Sequence, residues 1–192
     1  MPKLIAIYDS CVLYPAPLRD LLVRLARTDL FRARWTDDIH DEWIGNLLEH
    51  RPELSAAQLE RTRQLMNAAV RDCLVVGYEK RIENLTLPDP DDRHVLAAAI
   101  EAEAQVIVTY NLRDFPAGAL QPYGLQAQHP DEFILRVIAL DPLVVRETIE
   151  THQQALKNPP KTPAQYFETL SNQRLVKAVT ALSQICFKSE RG

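Results

Sequence analysis

A chain of 192 residues with 46% apolar and 25% charged residues has the composition of a soluble folded domain and is short for two. Its formal net charge of −4 excludes nucleic-acid binding by the overall field, so any such partner must be met by local basic patches or bound metal. Three widely spaced cysteines, Cys11, Cys73 and Cys186, include no CxxC pair and imply reduced thiols in a cytoplasmic protein; the apolar run at residues 4–8 is too short for a signal peptide, and nothing approaches the roughly 20 apolar residues of a membrane span.

Residues 4–8, Leu-Ile-Ala-Ile-Tyr, meet Asp9 before any helical period develops, which predicts a buried first strand. Pro15 and Pro17 open a helical segment to residue 30, with Leu18, Leu21, Leu22, Leu25 and Ala26 on one stripe. Phe31, Ala33 and Trp35 alternate with Arg32 and Arg34 as in a strand, and Thr36 or Asp37 then caps a helix carrying Ile39, Trp43, Ile44 and Leu47. Ser55 starts a further helix to about residue 72, and residues 74–76 read as a short strand.

Asp89-Pro90 reads as the cap and first position of an Ala-rich helix through Val95, Leu96, Ala98 and Ala99. Residues 106–109 are strongly β, residues 125–127 suggest one more strand, and Pro130 leads into a helix through Phe133 and Val137. Strands alternating with helices predict an α/β fold with a mostly parallel sheet covered on both faces. Beyond Pro142 the pattern is helical only: residues 143–156, a break at Pro159, Pro160 and Pro163, and one last helix over 163–187. The expected division is a domain over 1–138 and a helical extension over 139–192, which could pack on the core, carry a partner surface or help dimerise.

In parallel sheets ligands gather beyond the carboxyl ends of the strands. Asp9 stands at that end of the first strand; Thr109, Asn111 and Asp114 stand at or beyond that end of a later one; Asp92 opens the helix feeding it; Glu42 lies on the helix after the second strand. Each acid has a plainer role when taken alone. Asp9 or Asp114 can close a turn, and Asp89, Asp91 and Asp92 can cap a helix. Glu42 is harder to dismiss, because its neighbours one turn away, Asp38, Ile39, Gly45 and Asn46, include no cation. Several converging carboxylates would raise one another's pKa unless a cation joined them. Their oxygen ligands favour Mg²⁺ or Mn²⁺ over Zn²⁺. His40 and His94 each lie two residues from one of these acids and read as structural or substrate-facing.

Residues 4–13 (LIAIYDSCVL), 89–99 (DPDDRHVLAAA), 106–115 (VIVTYNLRDF) and 126–133 (QAQHPDEF) resemble, in order and spacing, the successive motifs of PIN-domain proteins over about residues 1–138. The resemblance implies a three-layer α/β/α fold with a central parallel sheet and the C-terminal helical extension added. It makes Asp9, Glu42 and Asp92 the first three metal-binding, catalytic acids, with Asp91 as rival for the third place. In the fourth place Asn111 stands where many relatives have Asp, while Asp114 matches another form of the motif. Thr109 matches an orienting hydroxyl near the centre.

Such proteins are similar to single-strand-directed ribonucleases, many of them toxins of the VapC type, usually dimeric and held inactive by an antitoxin. The implied chemistry is Mg²⁺- or Mn²⁺-assisted hydrolysis of RNA phosphodiesters, with Arg19, Arg93 and Arg113 as the cations placed to meet phosphate. The competing expectation is a PIN-like module that binds RNA or protein without cutting, motivated by Asn111 and the negative charge. A phosphatase with Asp9 as nucleophile fits less well, because Cys11 stands where a second acid would help.

Overall fold

The computed structural model describes residues 3–157 and 159–187. Four strands, β1 (Ile5–Tyr8), β2 (Arg32–Arg34), β3 (Val106–Val108) and β4 (Gln126–Gln128), form one sheet in the order β2-β1-β3-β4 with every neighbour parallel. Between β1 and β2 lie α1 (Ser10–Leu13) and α2 (Ala16–Ala26); between β2 and β3 lie α3 (Asp37–His50), α4 (Ala56–Ala69), α5 (Glu79–Ile82) and α6 (Arg93–Glu101). After β3 come α7 (Ala117–Leu120), then β4 and α8 (Pro130–Leu140), and finally α9 (Pro142–Ala155), α10 (Pro163–Ser171) and α11 (Val176–Phe187).

The helices start where side chains can satisfy free amides. Thr36 accepts from the Ile39 amide at 3.0 Å to begin α3, Ser55 and Gln58 form a reciprocal capping box on α4, and Asp141 accepts from Leu143 and Val144 to begin α9. Strand register follows burial: Ala6, Ile7 and Tyr8 are fully buried, as a strand packed on both faces requires. Tyr8 meets Phe31, Trp35 and Phe133 at ring-centroid distances of 6.4, 6.0 and 6.0 Å, and its hydroxyl donates to the Leu22 carbonyl, so α2 and α8 share that face. The chain goes one way from β1 to β2 and the other way to β3, and right-handed crossovers then put α6, which packs on β1 and β3, on the opposite face. The fold is a three-layer α/β/α sandwich.

The C-terminal helices join the same hydrophobic core rather than standing apart from it: Val145, Ile149, Tyr166, Leu170, Ala178 and Leu182 belong to it. The expected strand at 74–76 reduces to a single parallel bridge, Trp35 with Leu74, held by Trp35 N–H to Cys73 O and Val75 N–H to Trp35 O, both 2.9 Å. Val76 is 75% exposed, so its apolar run has no second face to bury. The single helix expected over 163–187 is two, α10 and α11, separated at Arg174, which adopts φ 61°; the turn lets Leu175 reach the core. Among the described residues no helix is long and apolar enough to cross a membrane.

Candidate metal centre

Strand order reverses direction about β1 and β3, and a crevice opens beyond the carboxyl ends of such a pair. Asp9 follows β1 and Thr109 follows β3, and the two side chains meet there. The Thr109 hydroxyl donates to Asp9 Oδ2 at 2.6 Å, the Cys11 thiol to the same oxygen at 3.1 Å, and the Ser10 amide to Oδ1 at 2.7 Å. Asp9 is 1% exposed and Thr109 fully buried. Burial pushes the Asp9 carboxyl above its ordinary value; the Thr109, Cys11 and Ser10 donors draw it down, and the Glu42 charge pushes it up further. All three donors are neutral.

Glu42 projects from α3 toward the same crevice. Its Oε1 accepts from the Ser10 hydroxyl at 2.6 Å and its Oε2 lies 3.5 Å from His94 Nε2. Burial alone would raise its pKa, but the His94 and Ser10 bonds outweigh that and hold it below the usual glutamate value. His94 shifts upward in turn, burial being overcome by Glu42. Its Nδ1 is buried without a hydrogen-bond partner among the described residues.

Asp92 ends a 3₁₀ turn (Pro90–Asp92) and stands at the start of α6 without capping it. The 3₁₀ turn itself is capped by Asp89, whose Oδ1 accepts from the Asp91 amide at 2.9 Å. Among the described residues the Asp92 carboxylate has no hydrogen-bond or ion-pair partner. Burial and then the charges of Asp9, Asp89, Asp114 and Glu42 push it up to about 7. Four acids therefore act on one carboxylate, and among the described residues no cation is paired with it.

A family model described as PIN domain matches residues 6–113, more than half of the chain. The chain belongs to the PIN-domain family. A second model, VapC50 C-terminal domain, matches residues 130–184, from α8 into α11. A protein of Mycobacterium tuberculosis named "Putative ribonuclease VapC50" is 44% identical over 82 residues, covering 43% of this chain and 48% of that protein. The chain thus spans about half the length of the curated relative it matches. No solved structure matches it.

Within this PIN domain the expected residues sit unequally. Asp9, Glu42 and Asp92 interact electrostatically across the crevice, and Asp114 acts on Asp92 from the turn that follows β3, where its amide bonds the Asn111 carbonyl at 3.0 Å. Asn111 and Asp91 are exposed. Arg93 donates to the Pro90 carbonyl at 2.8 Å, and Arg113 is exposed. Arg19 is engaged elsewhere: Nη1 donates to the Leu13 and Tyr14 carbonyls, and the guanidinium stacks 4.6 Å from the Trp43 ring centroid. Burial, partly offset by Asp20, lowers its pKa to about 10. It clamps the turn between α1 and α2 onto α3. His40 is fully buried between Asn67 and Trp43, a structural histidine.

Ser10 and Cys11 were not among the expected site residues, and His94, read as structural or substrate-facing, meets Glu42. Their signal was adjacency: each lies within two positions of Asp9 or Asp92, where the chain turns from a strand or a 3₁₀ turn into a helix. Among the described residues no three His, Cys, Asp or Glu side chains close into a finished metal cage. The donor set nevertheless suits a hard divalent cation. It offers carboxylate oxygens alone, one of them unpartnered and held against like charge, which a cation would relieve.

Proposed function

We propose that this chain is a metal-dependent ribonuclease hydrolysing RNA phosphodiester bonds, the toxin of a toxin–antitoxin pair. The observation that carries the proposal is the unpartnered Asp92, set against Asp9, Glu42 and Asp114 at the switch point of a PIN fold. The name borne by the mycobacterial relative supports the same activity.

Asp9, Glu42, Asp92 and Asp114 would hold Mg²⁺ or Mn²⁺, which supplies a hydroxide nucleophile near neutral pH and neutralises charge developing on phosphate. The chain's own groups then have separate tasks. Thr109 and Cys11 fix the Asp9 carboxylate, and Ser10 and His94 fix that of Glu42, so that both acids are oriented before substrate arrives. Arg113 and Arg93 flank Asp114 and Asp92 and meet the phosphates of the bound strand. A cognate antitoxin protein, a homodimer and a cytoplasmic location complete the proposal, with α9, α10 and α11 serving as the buttress of α2 and α8.

The full chain incubated with total RNA and Mg²⁺ or Mn²⁺ should cut it, with cut ends mapping to defined positions, while Asp9→Asn protein should not. Equal cleavage by the two proteins, or none by the wild type under either ion, overturns the proposal. The second function, RNA or protein binding without cutting, would rest on the exposed Asn111 alone, and the PIN-domain match and the mycobacterial relative favour cutting. Calorimetric titration with Mn²⁺ separates the two, since a pure binding module gives no heat that Asp9→Asn removes.

A further inference from the structure

At the amino edge of the sheet, opposite the acids, lies a hollow of about 420 Å³. Its rim carries Lys3, Arg27, Arg32 and Arg71 against Asp29 and Asp72, and its floor is Ala26, Phe31 and Val70. Lys3 is paired with Asp29. Among the described residues, Arg27, Arg32 and Arg71 have no carboxylate within salt-bridge distance and donate no side-chain hydrogen bond. Asp29 feels the charges of Arg32 and Arg71 as well as that of Lys3, yet the hollow gathers four cations against two carboxylates, a local excess of positive charge in a chain of net charge −4.

The cationic surface also has a direction. Arg34 lies two residues beyond Arg32 on β2 and therefore on the same face, and it too has no ion pair among the described residues. Because β2 runs parallel to β1, the step from Arg32 to Arg34 leads from the hollow toward the edge that carries Asp9. A single small anion would need only the rim. A row of unpaired guanidiniums running along a strand suits a chain of phosphates, which their planar forks bind two oxygens at a time.

We propose that the hollow and the flank of β2 form a second RNA contact, binding the phosphodiester backbone of a single strand apart from the acid cluster. Lys3 and Asp9 stand at the two ends of one strand, roughly 20 Å apart at about 3.3 Å per residue. The substrate is thereby gripped by arginines at one edge of the sheet and cut at the other. This rests on the ribonuclease proposal for the choice of RNA.

The test is fluorescence anisotropy of a labelled 20-nucleotide single-stranded RNA in EDTA, with KCl stepped from 50 to 300 mM. Without metal the acids of the carboxyl edge repel phosphate, and the difference between wild type and variant reports on the arginines of the hollow. The full chain carrying Arg27→Glu, Arg32→Glu and Arg71→Glu should bind at least about tenfold more weakly. Its slope of log affinity against log salt should fall by about 2, at about 0.7 for each phosphate of a single strand that is no longer neutralised. If that triple variant fails to fold, Arg71→Gln alone should lower the slope by about 0.7. Unchanged affinity and slope in a folded variant overturn the proposal, as does binding of a polyglutamate peptide but not RNA through these arginines. Arginine-dependent binding without metal-dependent cleavage would overturn the ribonuclease proposal and leave this one standing; cleavage with arginine-independent binding would do the reverse.

Discussion

At the carboxyl edge of the sheet and at the seam between α2 and the C-terminal helices, the chain buries polar groups in opposite ways. In the seam His152, 3% exposed, places Nε2 2.7 Å from Asp20 Oδ2 and Nδ1 2.9 Å from the Tyr166 hydroxyl, and the ring satisfies both contacts whether it is neutral or protonated. Nearby, Asp131 on α8 accepts from the Lys177 and Ala178 amides at 3.1 and 2.7 Å, capping the first turn of α11. Asp20 and Asp131 each have their donors, and the two buried guanidinium nitrogens of the seam that make no hydrogen bond, Arg24 Nε and Arg146 Nε, lie 3.3 and 3.4 Å from the Asp20 and Glu150 carboxylates. At the carboxyl edge Asp9 has only neutral donors and Asp92 has none, while like charges press on both. A polar cluster that is complete holds elements together, whereas one left incomplete is poised to take up something else.

The largest expected effect comes from dissociating stability from activity. Asp9→Asn keeps an acceptor for the Thr109 hydroxyl but removes a buried charge. Cleavage should fall at least about a hundredfold with the melting temperature unchanged or higher, measured side by side on one preparation. A variant that loses both together would make Asp9 structural and erase the contrast. His152→Ala should do the opposite, costing about 2–4 kcal/mol in urea unfolding through the broken hydrogen bonds and the cavity left behind. Cleavage per folded molecule should be retained. Asp131→Ala, which strips two amide acceptors from the start of α11, should cost about 1–2 kcal/mol by the same measurement.

Much of the sheet and of the site was legible in the sequence because local rules decide it. The run before Asp9, the Thr36 and Ser55 caps and the Asp89-Pro90 start each announce an element within a few residues. Asp9 and Asp92 could be named because strand ends and helix starts place them. What escaped depended on distance along the chain. Nothing local tells that His152 will meet Asp20, 132 positions away, or that Arg71 will share a hollow with Lys3 and Arg27. The roles of Ser10 and His94 escaped for a subtler reason. Their partner, Glu42, was judged by its helical neighbours one turn away, and its contacts come instead from α1 and α6. The unbroken helix expected over 163–187 failed because no Gly or Pro marks residues 171–175, although the apolar period of residues 166, 167 and 170 resumes only at Leu175, five residues on, which the turn at Arg174 brings to the core.

The smallest effect is expected at Asp20, and it carries a sign. Burial would raise its pKa, but the hydrogen bond and charge of His152, with Arg24 3.3 Å away, outweigh burial and hold it below the ordinary 3.8. A carboxyl with a folded value below its unfolded one contributes stability that is fully present above the unfolded value and is lost as pH falls through the folded one. The side chain is 46% exposed, so solvent screens the contribution and keeps it small. Asp20→Asn should therefore unfold at slightly lower urea than wild type at pH 7, and the gap should close below about pH 4. A gap that widens on acidification would mean that Asp20 is strained by its surroundings as Asp92 is, and the seam would then have to be counted with the unfinished cluster rather than against it.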